Sequence, residues 1–159
     1  MSMSLEKARS YLTQRGYGSR IREFDVSSAT VELAAQAVGC EPAHIAKTLS
    51  FAVGEGCVLI VCAGDAKIDN SKFKQMFHCK ATMLTPEQVL AFTGHAVGGV
   101  CPFGIERSDV TTYLDISLQR FETVYPAVGN AASAAALNCE ELESLSNSAG
   151  WIDVCKNWS

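Results

Sequence analysis

No stretch of this 159-residue sequence approaches the roughly 18 uninterrupted apolar residues of a membrane-spanning helix, and the opening MSMSLEKARS has no apolar run of signal-peptide length. The expectation is a soluble, unexported, cytoplasmic protein with no membrane partner. C-x-x-C pairs are also missing, and the seven cysteines are an odd number, so the chain reads as one with free thiols in a reducing compartment rather than a disulfide scaffold. His44, His78 and His95 are scattered and only Cys79 adjoins one of them, which removes the bunched ligand spacing of a zinc site. Neither G-x-G-x-x-G nor a Walker Gly-Lys-Ser/Thr occurs. No metal and no organic cofactor is expected.

Internal repeats, low-complexity linkers and heptads are absent as well. With 48% apolar residues the chain can bury one core and is too short to divide comfortably in two, so residues 1–159 read as a single domain. The net charge of −4 argues against non-specific coating of nucleic acid, DNA included. That charge is unevenly placed. Residues 1–106 balance ten basic against ten acidic side chains, and the excess of acid lies beyond them. Lys67, Lys72, Lys74 and Lys80 face only Asp69 in sequence, a cluster that could meet phosphates or simply be a solvated helix face.

Periodicity predicts helices from about Ser4 to Arg15, from Val31 to Val38 behind a Ser28 or Thr30 cap, from Asn70 to Phe77, and from Thr85 to Gly94, where Thr-Pro-Glu-Gln forms a capping box. Glu140, Glu141 and Glu143 suit the first turns of a last helix. Residues 46–53 and 57–62 read as a central hairpin about Gly54-Glu55-Gly56, with shorter strands near 21–24, 80–83, 111–114, 123–125 and 133–137. Helices and strands mix without a βαβ rhythm. The fold class expected is α+β, built on a mixed, strongly curved sheet.

Two segments could carry chemistry. Lys47 stands at the start of a central strand, where its charge must reach solvent or line a cavity, and in a cavity it could stabilise the oxyanion of an attacked ester. A lysine snorkelling off a strand end is the plainer alternative. Gly98-Gly99-Val100-Cys101-Pro102-Phe103-Gly104 lets backbone approach a ligand closely and converge its amides, or is simply a tight structural turn. Cys101, six residues after His95, and Cys62 are further candidate nucleophiles, and Asp65 with Asp115 a candidate carboxylate pair.

Lys47 within Ala46-Lys47-Thr48-Leu49, Gly64-Asp65, Lys72-Phe73-Lys74, Gly94, the Gly98–Gly104 loop, Asp115 and Gly129, in this order, resemble the YbaK/prolyl-tRNA-synthetase-associated editing-domain family. The resemblance runs from about Ile21 to Ile152. It implies a sheet curled into a partial barrel flanked by helices, and deacylation of mischarged tRNA in trans. It makes Lys47 the functional hallmark and gives Gly98, Gly99, Val100, Cys101, Pro102, Phe103 and Gly104, with the Gly-x-x-x-Pro pattern, the terminal adenosine and the aminoacyl ester. The partners implied are the aminoacyl-tRNA acceptor end and an aminoacyl-tRNA synthetase. Several members carry a basic residue shortly after the glycine matched by Gly129, whereas Gly129-Asn130-Ala131-Ala132-Ser133 has none, which counts against the cysteine-removing branch. Asn130 could hydrogen-bond a small or hydroxylated amino acid, or serve the turn alone. The substrates left open are alanine, serine, threonine and cysteine. A non-catalytic module that binds the aminoacyl-adenosine end, or docks on a synthetase, is the rival reading.

Overall fold

The computed structural model describes residues 3–25, 30–96, 99–130 and 132–158. In chain order the elements are α1 (Met3–Gln14), β1 (Ile21–Glu23), α2 (Val31–Val38), β2 (Ile45–Val53), β3 (Gly56–Ala63), β4 (Lys67–Ile68), α3 (Asn70–Phe77), α4 (Pro86–Thr93), β5 (Val110–Asp115), β6 (Tyr125–Pro126), β7 (Ser133–Ala135), α5 (Cys139–Leu145), β8 (Trp151–Ile152) and β9 (Cys155–Lys156). The fold is mixed α+β. Its main sheet has the order β6-β2-β3-β5-β8, in which only β2 and β3 run antiparallel and the other neighbours are parallel.

Local chemistry sets these limits. Thr30 accepts a hydrogen bond from the Leu33 amide and Gly39, with φ +85°, closes α2 in the left-handed conformation. Ser28, the other expected cap, lies outside the described residues. Thr85 and Gln88 close a reciprocal capping box on α4, and Asn138 with Glu141 does the same for α5. The Gly54-Glu55 turn joins β2 to β3 as a two-residue hairpin, pairing Val53 with Gly56 and Lys47 with Cys62.

The core lies on both sides of β3, whose Leu59, Ile60, Val61 and Cys62 are fully buried, as expected of a strand with a neighbour on each edge. Phe73 of α3 packs on Phe51 and Phe77 at ring separations of 5.0 and 4.7 Å. On the other side Cys57 and Leu59 meet Leu84, Val89 and Val100. Buried Asp115 ties the far end together, accepting from the amides of Ser117 and Val154 at 3.0 Å each.

One expected strand is not a strand. Residues 80–83 make a single bridge, Met83 to Phe51, with the Ala52 amide donating to Thr82 and the Leu84 amide donating to Ser50. Pro86 at the first turn of α4 pulls the chain away before a ladder can extend. The short strands β4, β8 and β9 were not foreseen from the sequence, because two-residue pairings carry no periodicity.

Candidate active site

A cavity of about 460 Å³ opens beside β2, and an interruption in the pairing of that strand makes it. On the edge of β2 away from β3, the parallel ladder with β6 ends at Ala46↔Pro126, and the contact with residues 82–84 begins at Ser50. Thr48 falls in the gap. The outward main-chain groups of β2 belong to alternate residues, as the Ala52 amide and Ser50 carbonyl bonds show, so the amide and carbonyl of Thr48 project into the gap without a ladder partner.

The walls are apolar: Val31 and Ala34 from α2, Met83, Leu84 and Val89 from the 83–89 segment, and Val100 from the glycine-rich loop. Tyr125, Ala127 and Ala134 close the β6 and β7 side. Met83, 60% exposed, stands at the rim. Lys47 is the one charged residue among the described lining residues. Its ammonium donates to the carbonyls of Gly64 at 3.3 Å and Ala66 at 2.5 Å, which leaves one N–H of three for a ligand. Gly64 permits this turn, since a Cβ there would lie 2.0 Å from the carbonyl oxygen of Pro42. Asp65, in the same turn, pairs with Arg120 through two contacts of 3.0 and 2.6 Å. That guanidinium, with Lys47 adding to it, holds the Asp65 carboxyl below its ordinary range.

The glycine-rich loop divides its residues. Gly98 lies outside the described residues. Gly99 packs on the Gly129-Asn130 turn so closely that a Cβ would sit 2.3 Å from the Asn130 Cα, and Gly129 takes φ +84°. Val100 turns into the cavity, whereas the side chains of Cys101 and Phe103 are fully buried in the core. Pro102 and Gly104 border a different, polar hollow of about 740 Å³ near Tyr11 and Asn147. Although larger, that hollow has its cations engaged: Arg15 lies on the Tyr11 ring at 3.6 Å and Arg107 pairs with Asp109 at 2.6 Å. Asn130 turns its side-chain oxygen back to the Ala132 amide at 2.9 Å, the local turn the sequence allowed for.

His95 and Cys101 do come together, at 3.5 Å, but in a sealed setting. Nε2 of His95 is 2.9 Å from the Phe103 carbonyl, an acceptor that fixes the proton on that nitrogen, so it has no lone pair with which to take the thiol proton. Burial pushes the Cys101 thiol up to about 12 and the His95 imidazole down. Asp65 and Asp115 likewise have separate partners, a guanidinium and two amides. Among the described residues no cluster of His, Cys, Asp and Glu could hold a metal ion, and no helix is long and apolar enough to cross a membrane.

The lysines have unlike surroundings. Lys72 donates to Asp153 at 2.9 Å and to the Cys155 carbonyl at 3.1 Å. Lys67 stands across the β4–β9 pair from Lys156, so two cations are adjacent there. Lys74 and Lys80 are exposed.

An aminoacyl-tRNA editing domain matches residues 26–145, the segment that contains β2, the gap and the glycine-rich loop. The chain belongs to the aminoacyl-tRNA editing domain family. The uncharacterised protein YwhH of Bacillus subtilis (strain 168) is 52% identical to this editing domain over 98% of this chain and 99% of its own length. Proline–tRNA ligase of Thermotoga sp. (strain RQ2) is 29% identical over 58% of this chain, which corresponds to 16% of the ligase. A crystal structure assigned provisionally as a trans-editing enzyme for prolyl tRNA synthetase superposes with a TM-score of 0.87 at 30% identity, over 98% of this chain and 99% of that one. The crystal structure of hypothetical protein APE2540 has the same fold, with a TM-score of 0.82 at 23% identity over 94% of this chain and 99% of its own. Family and neighbours together support a role in aminoacyl-tRNA editing.

Proposed function

We propose that this editing domain is a hydrolase that deacylates mischarged tRNA in trans, cleaving the ester between a small amino acid and the terminal ribose. The observation that carries the reading is the cavity itself: an apolar-walled pocket with an unpaired strand edge on one side and one lysine for charge. An aminoacyl ester is already activated, so its hydrolysis needs placement and charge stabilisation more than a strong nucleophile.

Water adds to the ester carbonyl, and the oxyanion that forms takes the remaining Lys47 N–H. The acyl C–O bond then breaks, the ribose oxygen takes up the proton that the water gives up, and free amino acid leaves. No carboxylate, imidazole or thiol is among the described lining residues, so the proton moves through the water and the neighbouring ribose hydroxyl of the substrate. The backbone of Gly98–Gly104 and of Gly129-Asn130, held together at Gly99, supports the terminal adenosine, with Val100 the loop side chain that reaches the pocket. Lys67, Lys74 and Lys80 meet phosphates of the acceptor stem, and Lys72, already paired with Asp153, contributes less. With a net charge of −4 the domain neutralises few phosphates, so a tRNA-bound synthetase supplies affinity by raising local concentration.

The test is release of free amino acid from tRNAs charged with alanine, cysteine, serine, threonine and proline. Repeated turnover of at least one small amino acid, lost in Lys47→Ala, is expected. Folded protein that protects the ester, or leaves its spontaneous decay unchanged, would instead make this a binding module.

A further inference from the structure

The cavity wall holds two hydroxyls, those of Thr48 and Ser50, that take no hydrogen-bond partner among the described residues. Thr48 and Ser50 are two apart on β2, opposite Val61 and Leu59 of β3, so their side chains lie on one face of the sheet about 7 Å apart along the strand. The Thr48 Oγ1 is enclosed and has no hydrogen-bond partner, the one such side-chain atom among the described residues. Ser50 is 5% exposed, lines the same cavity, and makes no side-chain hydrogen bond among the described residues. Ser133 differs, because its hydroxyl donates to the Val128 carbonyl at 3.1 Å. A buried hydroxyl without a partner costs about 1–3 kcal/mol, so the Thr48 hydroxyl, with that of Ser50 beside it on the cavity wall, calls for a ligand that completes it.

The surrounding surfaces limit what that ligand is. Leu84, Val89 and Val100 exclude a charged side chain, and the nearest cation, Lys47, is held at the Gly64–Ala66 turn. The Thr48 amide and carbonyl in the strand gap suit groups that every aminoacyl ester has, its ammonium and its carbonyl. The side-chain hydroxyls are then free to distinguish one amino acid from another.

We infer that Thr48 and Ser50 are specificity-determining residues that select a small hydroxylated amino acid, serine or threonine, over alanine. A pocket built to hydrogen-bond a substrate hydroxyl discriminates strongly against the analogue without one, since rejection leaves its own polar groups unpaired. The inference rests on the deacylase reading above and narrows its substrate.

Turnover of seryl-, threonyl- and alanyl-tRNA is compared for the wild-type protein, Thr48→Val and Ser50→Ala. Thr48→Val keeps the shape and the main-chain groups and removes only the hydroxyl. The expected result is a wild-type preference for the hydroxylated esters that falls about tenfold or more in Thr48→Val, with a smaller fall in Ser50→Ala. A wild-type preference for alanine, or equal losses for all three substrates, overturns the inference and leaves the deacylase reading standing. If no ester is turned over, the deacylase reading fails, and binding decides the selectivity: amide-linked seryl- and alanyl-adenosine are titrated against the same proteins. Tighter binding of the seryl compound that is lost in Thr48→Val supports the selection, and equal binding overturns it. Unchanged thermal melting separates these effects from misfolding.

Discussion

The strand segment Ala46–Ser50 lines the cavity throughout, the loop segment Gly99–Gly104 reaches it through Val100, and the two treat their polar groups in opposite ways. The loop satisfies its own. His95 meets the Phe103 carbonyl, Cys101 lies against His95, and the Gly99 amide donates to Ala96. The strand leaves its groups open: a main-chain gap at Thr48, an enclosed hydroxyl without a partner, and an ammonium with one N–H remaining. A satisfied network fixes shape, whereas unpaired groups in a cavity wall can take a ligand. On the proposed function the loop is thus a mould for the cavity, and the strand is the surface that reads the substrate.

Substitutions can break that contrast. The largest effect is expected at Lys47. Lys47→Ala should lower the deacylation rate about 100-fold or more under conditions where the variant stays folded, with the loss of its two hydrogen bonds to main-chain carbonyls costing about 1–3 kcal/mol in urea unfolding. Activity lost only in step with unfolding would make the lysine structural. Gly99→Ala should do the reverse. Its Cβ would press on the Asn130 backbone at 2.3 Å, which should destabilise the protein by about 1–3 kcal/mol in the same unfolding experiment, with activity following stability.

An intermediate effect is expected from pH. The folded-state value of Asp65 is depressed by Arg120, so its contribution to stability is present above the ordinary carboxylate value and is lost as pH falls through the lower folded value. The melting difference between wild type and Asp65→Asn should therefore be largest near neutrality and shrink below about pH 4. A difference that grows on acidification would contradict the pairing. The smallest effect on turnover is expected at Cys101. Cys101→Ala should keep activity within about threefold, and iodoacetamide should label the native thiol slowly at pH 7, because burial raises it to about 12. Loss of turnover in step with alkylation would restore the thiol as a nucleophile.

Much of the frame was legible in the sequence, because caps, turns and β-branched runs are local. Helix α4 declared itself through the Thr85 box and Gly94, and the β2–β3 hairpin through its glycines and β-branched runs. Lys47 stood out because a charge at the start of a buried strand demands an explanation. The gap at Thr48 was not legible. It arises from where β6 stops and where residues 82–84 begin, long-range pairings that no local pattern encodes. Thr48 resembles an ordinary strand hydroxyl until its lack of a partner is seen. The inward turn of Cys101 and Phe103 was hidden likewise, since glycine spacing shows that a loop bends and not which side chains it buries.

The account stands most directly on where the aminoacyl end sits. Amide NMR shifts on titration with an amide-linked aminoacyl-adenosine would locate it. Shifts centred on Lys47, Thr48 and Ser50 of β2, extending to Met83 and Val100, are predicted. Shifts centred instead on Tyr11, Arg15 and Ile105 would place the ligand in the polar hollow and contradict the account.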